Sequence, residues 1–164
     1  DAIDRTACES TGTKSARRIR RSEMEDGGSR IGGGRSEMSA PKCFEDLEAW
    51  LAARELTNRM YAICRQGPLA RDFGLRDQVQ RAAVSIMSNI AEGFKSRHLA
   101  EKQQAYSYAR RSCGEVRSLS YVLGDNGFVT TDEQQEILAM CTRAGKLVSG
   151  LMRSLKHRND PHPE

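Results

Sequence analysis

The spacing of apolar residues constrains the fold most, because it recurs every three or four positions from residue 44 almost to the C-terminus. One face of an α-helix repeats at this period, whereas a half-buried β-strand alternates every second residue, and no stretch of this chain sustains that alternation. Turn-forming residues at Gly67-Pro68, Gly93 and Gly124–Gly127 divide the region into four helices. We therefore predict an all-α protein, an up-and-down antiparallel four-helix bundle, since short connections favour antiparallel neighbours.

The helix boundaries follow from capping and turn residues. The predicted helices span residues 45–66, about 74–92, about 99–123 and from 131 into a fraying C-terminal end. Gly93 is predicted to stop the second helix, as glycine often does after a last helical turn. Thr131 and Gln134 are predicted to form a capping box at the start of the fourth helix.

The chain changes character near residue 42. Residues 1–42 are rich in Gly, Ser and Arg and poor in large apolar side chains, so we predict a disordered basic tail that cannot bury enough surface to fold. Arg17–Arg21 could form a phosphate-binding arm. The alternative, favoured by Met38-Ser39-Ala40-Pro41 just before the first helix, is a solvated or non-native leader. The bundle is predicted over residues 43–158, followed by a frayed C-terminus at 159–164.

The composition favours a soluble helical protein with no membrane partner. Only 5% of the residues are aromatic, and no apolar run approaches the roughly 18 residues that a membrane span needs. No N-terminal apolar stretch marks a secretory signal, so we expect a cytoplasmic protein. The cysteines have no CxxC pair or zinc-site spacing and are expected to be mostly small buried hydrophobes. These cysteines are Cys8, Cys43, Cys64, Cys113 and Cys141.

The sequence contains no pattern for catalysis or for a cofactor. The histidines, His98, His157 and His162, have no Cys, Asp or Glu partner at metal-ligand spacing. No nucleophile elbow, phosphate-binding glycine loop or dinucleotide fingerprint is present. We therefore expect no catalytic residues, no metal, no cofactor and no small-molecule substrate. Glu92 and Glu115 are expected to engage an Arg, a backbone amide or a neighbouring subunit.

The first helix carries more apolar residues than one buried face needs. A helix in a monomeric bundle requires about three apolar positions in seven. The apolar residues in excess of that requirement are Leu51, Leu56 and Ile63. We predict that these three side chains lie between the subunits of a homo-oligomer.

Basic residues are clustered more strongly than the formal net charge of +4 indicates. Residues 95–117 carry six Lys and Arg against two Glu, and residues 143–158 carry five against none. Arg is suited to bidentate phosphate recognition, although Lys and Arg also complement the dipole at a helix C-terminus. We predict phosphate contacts from four side chains, with a merely solvated helix face as the alternative. These are Lys95, Arg97, Arg110 and Arg111.

Three stretches resemble motifs of one bacterial family. Phe44–Trp50 fits (Y/F)-x-D-L-x-x-W, residues 88–94 read Ser-Asn-Ile-Ala-Glu-Gly-Phe, and Ser112–Val116 is similar to S-x-x-E-(L/V). Together they resemble the four-helix-bundle proteins of the 23S rRNA intervening-sequence family, which are related to accessory proteins of diversity-generating retroelements. Met87 stands where that family commonly has Pro, so no kink is expected in the second helix.

The resemblance implies a homopentamer without catalytic residues, in which Asn89, Glu92 and Glu115 hold the second and third helices together. Nucleic-acid binding is implied only through the retroelement relatives. Two functions remain open. The one we favour is a non-enzymatic homo-oligomer that binds RNA or a ribonucleoprotein through Arg-rich surfaces. The alternative is a protein–protein adaptor or scaffold without nucleic-acid binding.

Overall fold

A computed structural model describes residues 40–157 of the protein, with only the backbone described at His157. Within this range the chain forms four long helices and no strand, which confirms the predicted all-α class. The helices are α1 (Glu48–Cys64), α2 (Phe73–Lys95), α3 (Leu99–Asp125) and α4 (Thr131–His157). Two short 3₁₀ turns, Phe44–Asp46 and Pro68–Arg71, precede α1 and α2.

Each helix packs against the next one along the chain, and α1 also packs against α4. The connections comprise residues 65–72, 96–98 and 126–130. Such short connections return the chain beside the helix that it has just left, so neighbours run antiparallel. The predicted up-and-down bundle is confirmed. The predicted tail lies outside the described residues except for positions 40–42, and the predicted frayed end at 159–164 lies wholly outside them.

The core runs between the helices and is built from one apolar face of each. Burying a large aliphatic side chain contributes about 1.5–3 kcal/mol, so these residues provide most of the stabilisation. The fully enclosed side chains include Leu56, Met60, Ile86, Ile90, Val116, Leu123, Ile137 and Val148. Cys64, Cys113 and Cys141 are buried and free, as expected of small hydrophobes.

The apolar surplus of α1 is smaller than the sequence indicated. Leu56 is fully buried and Ile63 is 5% exposed within the single chain, which corrects the prediction that they lie between subunits. The physical reason is that α1 contacts two neighbours, so its buried arc is wider than one face. Leu51, at 41% exposed, is the one member of the predicted trio that remains on the surface.

The first helix begins three residues later than predicted, because a tight turn precedes it. The Asp46 carboxylate accepts hydrogen bonds from the backbone N–H of Cys43 (3.2 Å) and of Lys42 (3.0 Å). These hydrogen bonds lower the pKa of the Asp46 carboxyl. Leu47 then adopts extended backbone angles, φ −73° and ψ 122°, before α1 starts at Glu48.

The prediction that Gly93 stops the second helix is wrong. α2 continues through it to Lys95, and it also runs without interruption through Met87. Gly93 instead allows α3 to come close: a methyl group added at its α-carbon would lie 2.5 Å from Cε1 of Tyr106. The glycine is therefore required by helix–helix contact and not by a turn.

The capping box of α4 lies one residue earlier than predicted. The backbone N–H of Glu133 donates to Thr130 Oγ1 (3.2 Å), and the backbone N–H of Thr130 donates to Glu133 Oε2 (3.0 Å). These reciprocal bonds satisfy donors that the first turn of a helix otherwise leaves open. Gln134 reaches α3 instead, where its side-chain amide donates to the carbonyl of Ser120 at 3.0 Å.

Candidate nucleic-acid interface

A groove of about 560 Å³ on the surface of the bundle lies between α3 and α4. Arg110 and Arg117 line it from α3, while Lys146 and Arg153 line it from α4. No carboxylate is among the lining residues that the structure describes. We call this feature, defined by those four side chains, the cationic groove.

The positions of the four cations follow from helix geometry. On each helix the two cations are seven residues apart, which is close to two turns and places them on one face about 10.5 Å apart. The floor between them is formed by small side chains, including Gly114, Cys113 and Cys141. A methyl group added at Gly114 would meet no atom within 4 Å, so the glycine leaves the floor open.

The groove cations are not neutralised by any residue of the part of the chain that the structure describes. Within residues 40–157, none of the four side chains has an ion pair or a hydrogen bond. Two other arginines are paired: Arg59 pairs with Glu133 (3.2 Å) and Glu136 (2.7 Å), and Arg143 pairs with Glu55 (3.0 Å). A groove lined by unpaired charges of one sign concentrates positive potential and attracts anions.

Arg110 lies in this groove, but Arg111 lies on the opposite edge of α3. Adjacent helical residues are about 100° apart, so consecutive arginines project to different neighbours. The Arg111 guanidinium lies 5.7 Å from the ring centroid of Tyr108 and faces α2 beside Asn89 and Glu115.

Lys95 and Arg97 also lie apart from the groove. Lys95 Nζ lies 5.7 Å from the ring centroid of Phe44, in an α2–α3 hollow of about 780 Å³ that Glu92 and Glu101 also line. Arg97 is exposed in the α2–α3 connection. The structure therefore does not bring the four predicted phosphate ligands together as one patch.

Sequence reasoning did not assign a site role to Arg117, Lys146 or Arg153. A signal for them was present, since Arg110 and Arg117, like Lys146 and Arg153, are one heptad apart. Two such pairs on consecutive predicted helices indicate that each helix provides one wall of a groove. Counting charge over whole segments obscured this spacing.

Glu92 and Glu115 do not hold α2 and α3 together in the single chain. Both are exposed, and neither carboxylate has a partner within the described residues. The polar link between these helices joins Ser85 Oγ and Ser112 Oγ at 2.9 Å. Asn89 supports that link, because its amide donates to Ser85 Oγ at 3.1 Å and to the Ser85 carbonyl at 2.7 Å.

The buried thiols on the floor of the groove are poorly suited to nucleophilic chemistry. Burial raises the pKa of Cys113 to about 11 and that of Cys141 to about 12, so both thiols are uncharged at neutral pH. Across the described residues, no group of three or more His, Cys, Asp and Glu side chains could hold a metal ion. Nor does any described helix combine the length and apolar character that crossing a membrane requires.

Comparison with known proteins agrees with the fold. A crystal structure of a protein with unknown function from the S23 ribosomal protein family of Bacteroides thetaiotaomicron VPI-5482 matches with a TM-score of 0.60. The two chains are 18% identical over 64% of this chain and 95% of that one, a likeness that establishes a shared fold. No curated protein matches the chain. The family model for 23S rRNA-intervening sequence proteins matches residues 45–150, and the chain belongs to this family.

Proposed function

We propose that this protein is a non-enzymatic RNA-binding protein, and that the cationic groove between α3 and α4 holds the phosphate backbone of a structured RNA. The observation that carries the proposal is the set of four cations that line the groove, where the described residues provide neither an ion-pair partner nor a carboxylate. Phosphate neutralisation by Lys and Arg supplies most of the non-specific affinity for nucleic acids. RNA is the nucleic acid to test first, because the description of the family refers to an intervening sequence of 23S rRNA.

The chemistry of the groove favours recognition of shape over recognition of sequence. Within the described residues, its lining includes no aromatic side chain on which bases could stack. The hydroxyls of Thr142 and Ser149 also line the groove, and they donate to the carbonyls of Leu138 and Gly145 at 2.8 Å each. Their oxygens can therefore accept a hydrogen bond from a 2′-OH group. Backbone contacts of this kind carry no direct sequence information, so we expect similar affinity for RNAs of one shape and different sequence.

A salt titration tests the proposal. Binding of a fluorescent RNA hairpin is measured by anisotropy at several salt concentrations, for the wild type and for an Arg117→Gln/Lys146→Gln double variant. Each lost phosphate contact lowers the slope of log affinity against log salt by about 0.7–0.9. We therefore expect weaker binding and a shallower slope for the double variant.

The matched control removes two exposed cations elsewhere. Arg65→Gln/Arg71→Gln carries the same change of charge but alters the α1–α2 connection. We expect this control to bind RNA with nearly the wild-type slope. Equal slopes for the wild type and the groove variant would contradict the proposal, as would absence of RNA binding by the wild type.

We further propose that copies of the chain associate as a homo-oligomer, with the homopentamer as the expected state. Leu51 supports this, because a large aliphatic side chain that is 41% exposed on α1 gains from burial against a second copy. Sedimentation of the wild type at micromolar concentration measures the assembly, and a species of one chain mass, 18.3 kDa, would contradict it.

A protein–protein adaptor remains the second candidate, and the α2–α3 hollow favours it. This hollow, about 780 Å³, combines Phe44 and Tyr108 with the carboxylate of Glu92, which has no partner within residues 40–157. Aromatic surface beside a polar rim is typical of protein interfaces. If the groove variant assembles and folds normally and no RNA binds the wild type, this hollow becomes the leading functional surface.

A further inference from the structure

A second hollow continues the cationic groove toward the C-terminal end of α3. It measures about 750 Å³ and shares Arg117, Thr142 and Lys146 with the groove. Tyr121 from α3 and Leu138 from α4 are among its additional lining residues. Among residues 40–157, no carboxylate lines this hollow either. An aromatic side chain therefore lies within a short distance of the cations of the groove.

Tyr121 differs from the other exposed aromatic residues. Three aromatic side chains are exposed within residues 40–157: Phe73 at 68%, Tyr108 at 43% and Tyr121 at 47%. The guanidinium of Arg76 lies 4.8 Å from the Phe73 ring centroid, and that of Arg111 lies 5.7 Å from the Tyr108 ring centroid. Neither a cation nor another ring covers Tyr121 within the described residues.

We propose that Tyr121 stacks on an unpaired nucleobase of an RNA whose backbone lies in the cationic groove. This inference rests on the proposed function and deepens it, since it names the class of RNA: a duplex interrupted by a bulge or ended by an overhang. A fully paired duplex keeps its bases stacked on one another, whereas an unpaired base is free to stack on an aromatic side chain.

The arrangement of the side chains supports this assignment. Tyr121 follows Arg117 by four residues, so the ring and the guanidinium project from the same face about 6 Å apart along the helix axis. A phosphate bound at Arg117 thereby brings the attached nucleoside beside the ring. Half-buried Leu138 and Leu147 provide apolar surface next to the ring, while Lys146 offers a second phosphate contact.

The test uses two RNA duplexes whose base pairs are the same. One is fully paired, and the other carries a single additional, bulged 2-aminopurine. Tyr121→Leu removes the ring, Tyr121→Phe keeps it, and Tyr108→Leu removes an exposed ring on the other edge of α3. Base–aromatic stacking predicts that Tyr121→Leu weakens binding of the bulged duplex by about 5- to 100-fold. We expect Tyr121→Phe and Tyr108→Leu to bind it like the wild type, and the paired duplex to bind all four proteins alike.

The fluorescence of the bulged base gives a readout that a purely structural role would not change. Stacking on Tyr121 should alter 2-aminopurine emission in the wild type and in Tyr121→Phe but not in Tyr121→Leu. Equal binding of the bulged duplex by the wild type and Tyr121→Leu would overturn the inference while leaving the backbone groove intact. An equal loss for both duplexes would also overturn it. Failure of the wild type to bind either duplex would instead refute the proposed function.

Discussion

Gly93 sets how closely α2 and α3 approach one another. Its α-carbon lies against the ring of Tyr106, which is only 4% exposed, so the ring has no open space into which to move. At Gly114 on α3, by contrast, a methyl group would meet no atom within 4 Å. The close contact of α2 with α3 therefore requires a glycine at Gly93, whereas the space around Gly114 would accommodate a methyl group.

Alanine substitutions at these glycines should change stability in opposite directions. We expect Gly93→Ala to destabilise the fold by about 1–3 kcal/mol, because the added methyl overpacks the buried Tyr106 ring. Gly114→Ala should stabilise it by about 0.5–1 kcal/mol, since alanine has the higher helix propensity and space is available. Urea unfolding measures both free energies. Equal effects of the two substitutions would contradict this description of the α2–α3 contact.

Protonation of the Glu133 carboxyl should lower the free energy of unfolding at acidic pH. The hydrogen bond from the Thr130 N–H, and then that from Arg59, lower the pKa of its carboxyl. Because the folded-state pKa is below the unfolded one, the stabilisation is present above the unfolded pKa and is lost as pH falls through the folded pKa. We expect unfolding free energies to decrease below about pH 4.5 more steeply for the wild type than for Glu133→Gln. Parallel curves would count against this role.

The third helix, α3, has two edges that carry different side chains. Arg110, Gly114, Arg117 and Tyr121 follow one edge toward α4, whereas Arg111 and Glu115 follow the other toward α2. The sequence indicated that two adjacent arginines project in different directions. It did not indicate which neighbour each one faces, because that depends on the rotation of the helix within the bundle.

Alanine substitutions of a buried and of an exposed leucine on α1 should differ in their effect on the free energy of unfolding. Leu56→Ala should cost about 2–5 kcal/mol of unfolding free energy, because it leaves a cavity in a fully enclosed site. In the dissociated monomer, Leu51→Ala should change stability by no more than about 0.5 kcal/mol, since Leu51 is exposed within the single chain. Chemical unfolding of both variants under conditions that keep the chain monomeric measures the difference. A comparable loss for Leu51→Ala in the monomer would contradict its surface position.

The same helix offers a test of self-association. If Leu51 contacts a second copy, Leu51→Asp should lower the assembled fraction in sedimentation experiments while the monomer stays folded. Val84→Asp, which alters a similarly exposed side chain on α2, serves as the control and should leave assembly unchanged. Identical sedimentation of Leu51→Asp and the wild type would remove Leu51 from the interface.

For the whole molecule, the four-helix architecture could be predicted because it depends on a local signal, the three-and-four spacing of apolar residues. Met60, Ile86, Val116 and Val148, one from each helix, are fully buried, as that period requires. The groove could not be predicted in the same way. It depends on α3 and α4 facing each other at a particular rotation, which brings cations of both helices to one groove. The predicted patch therefore contained one groove residue, Arg110.

The adjacent residues Arg110 and Arg111 provide the sharpest test of the claim that the α3–α4 groove binds RNA phosphates. They have the same side chain and adjacent positions, but only Arg110 lines the groove. The measurement is the salt dependence of RNA-hairpin affinity for Arg110→Gln and Arg111→Gln. We expect Arg110→Gln to lower the log–log slope by about 0.7–0.9 and Arg111→Gln to keep the wild-type slope. Equal slopes for the two variants, or a loss confined to Arg111→Gln, would contradict the claim.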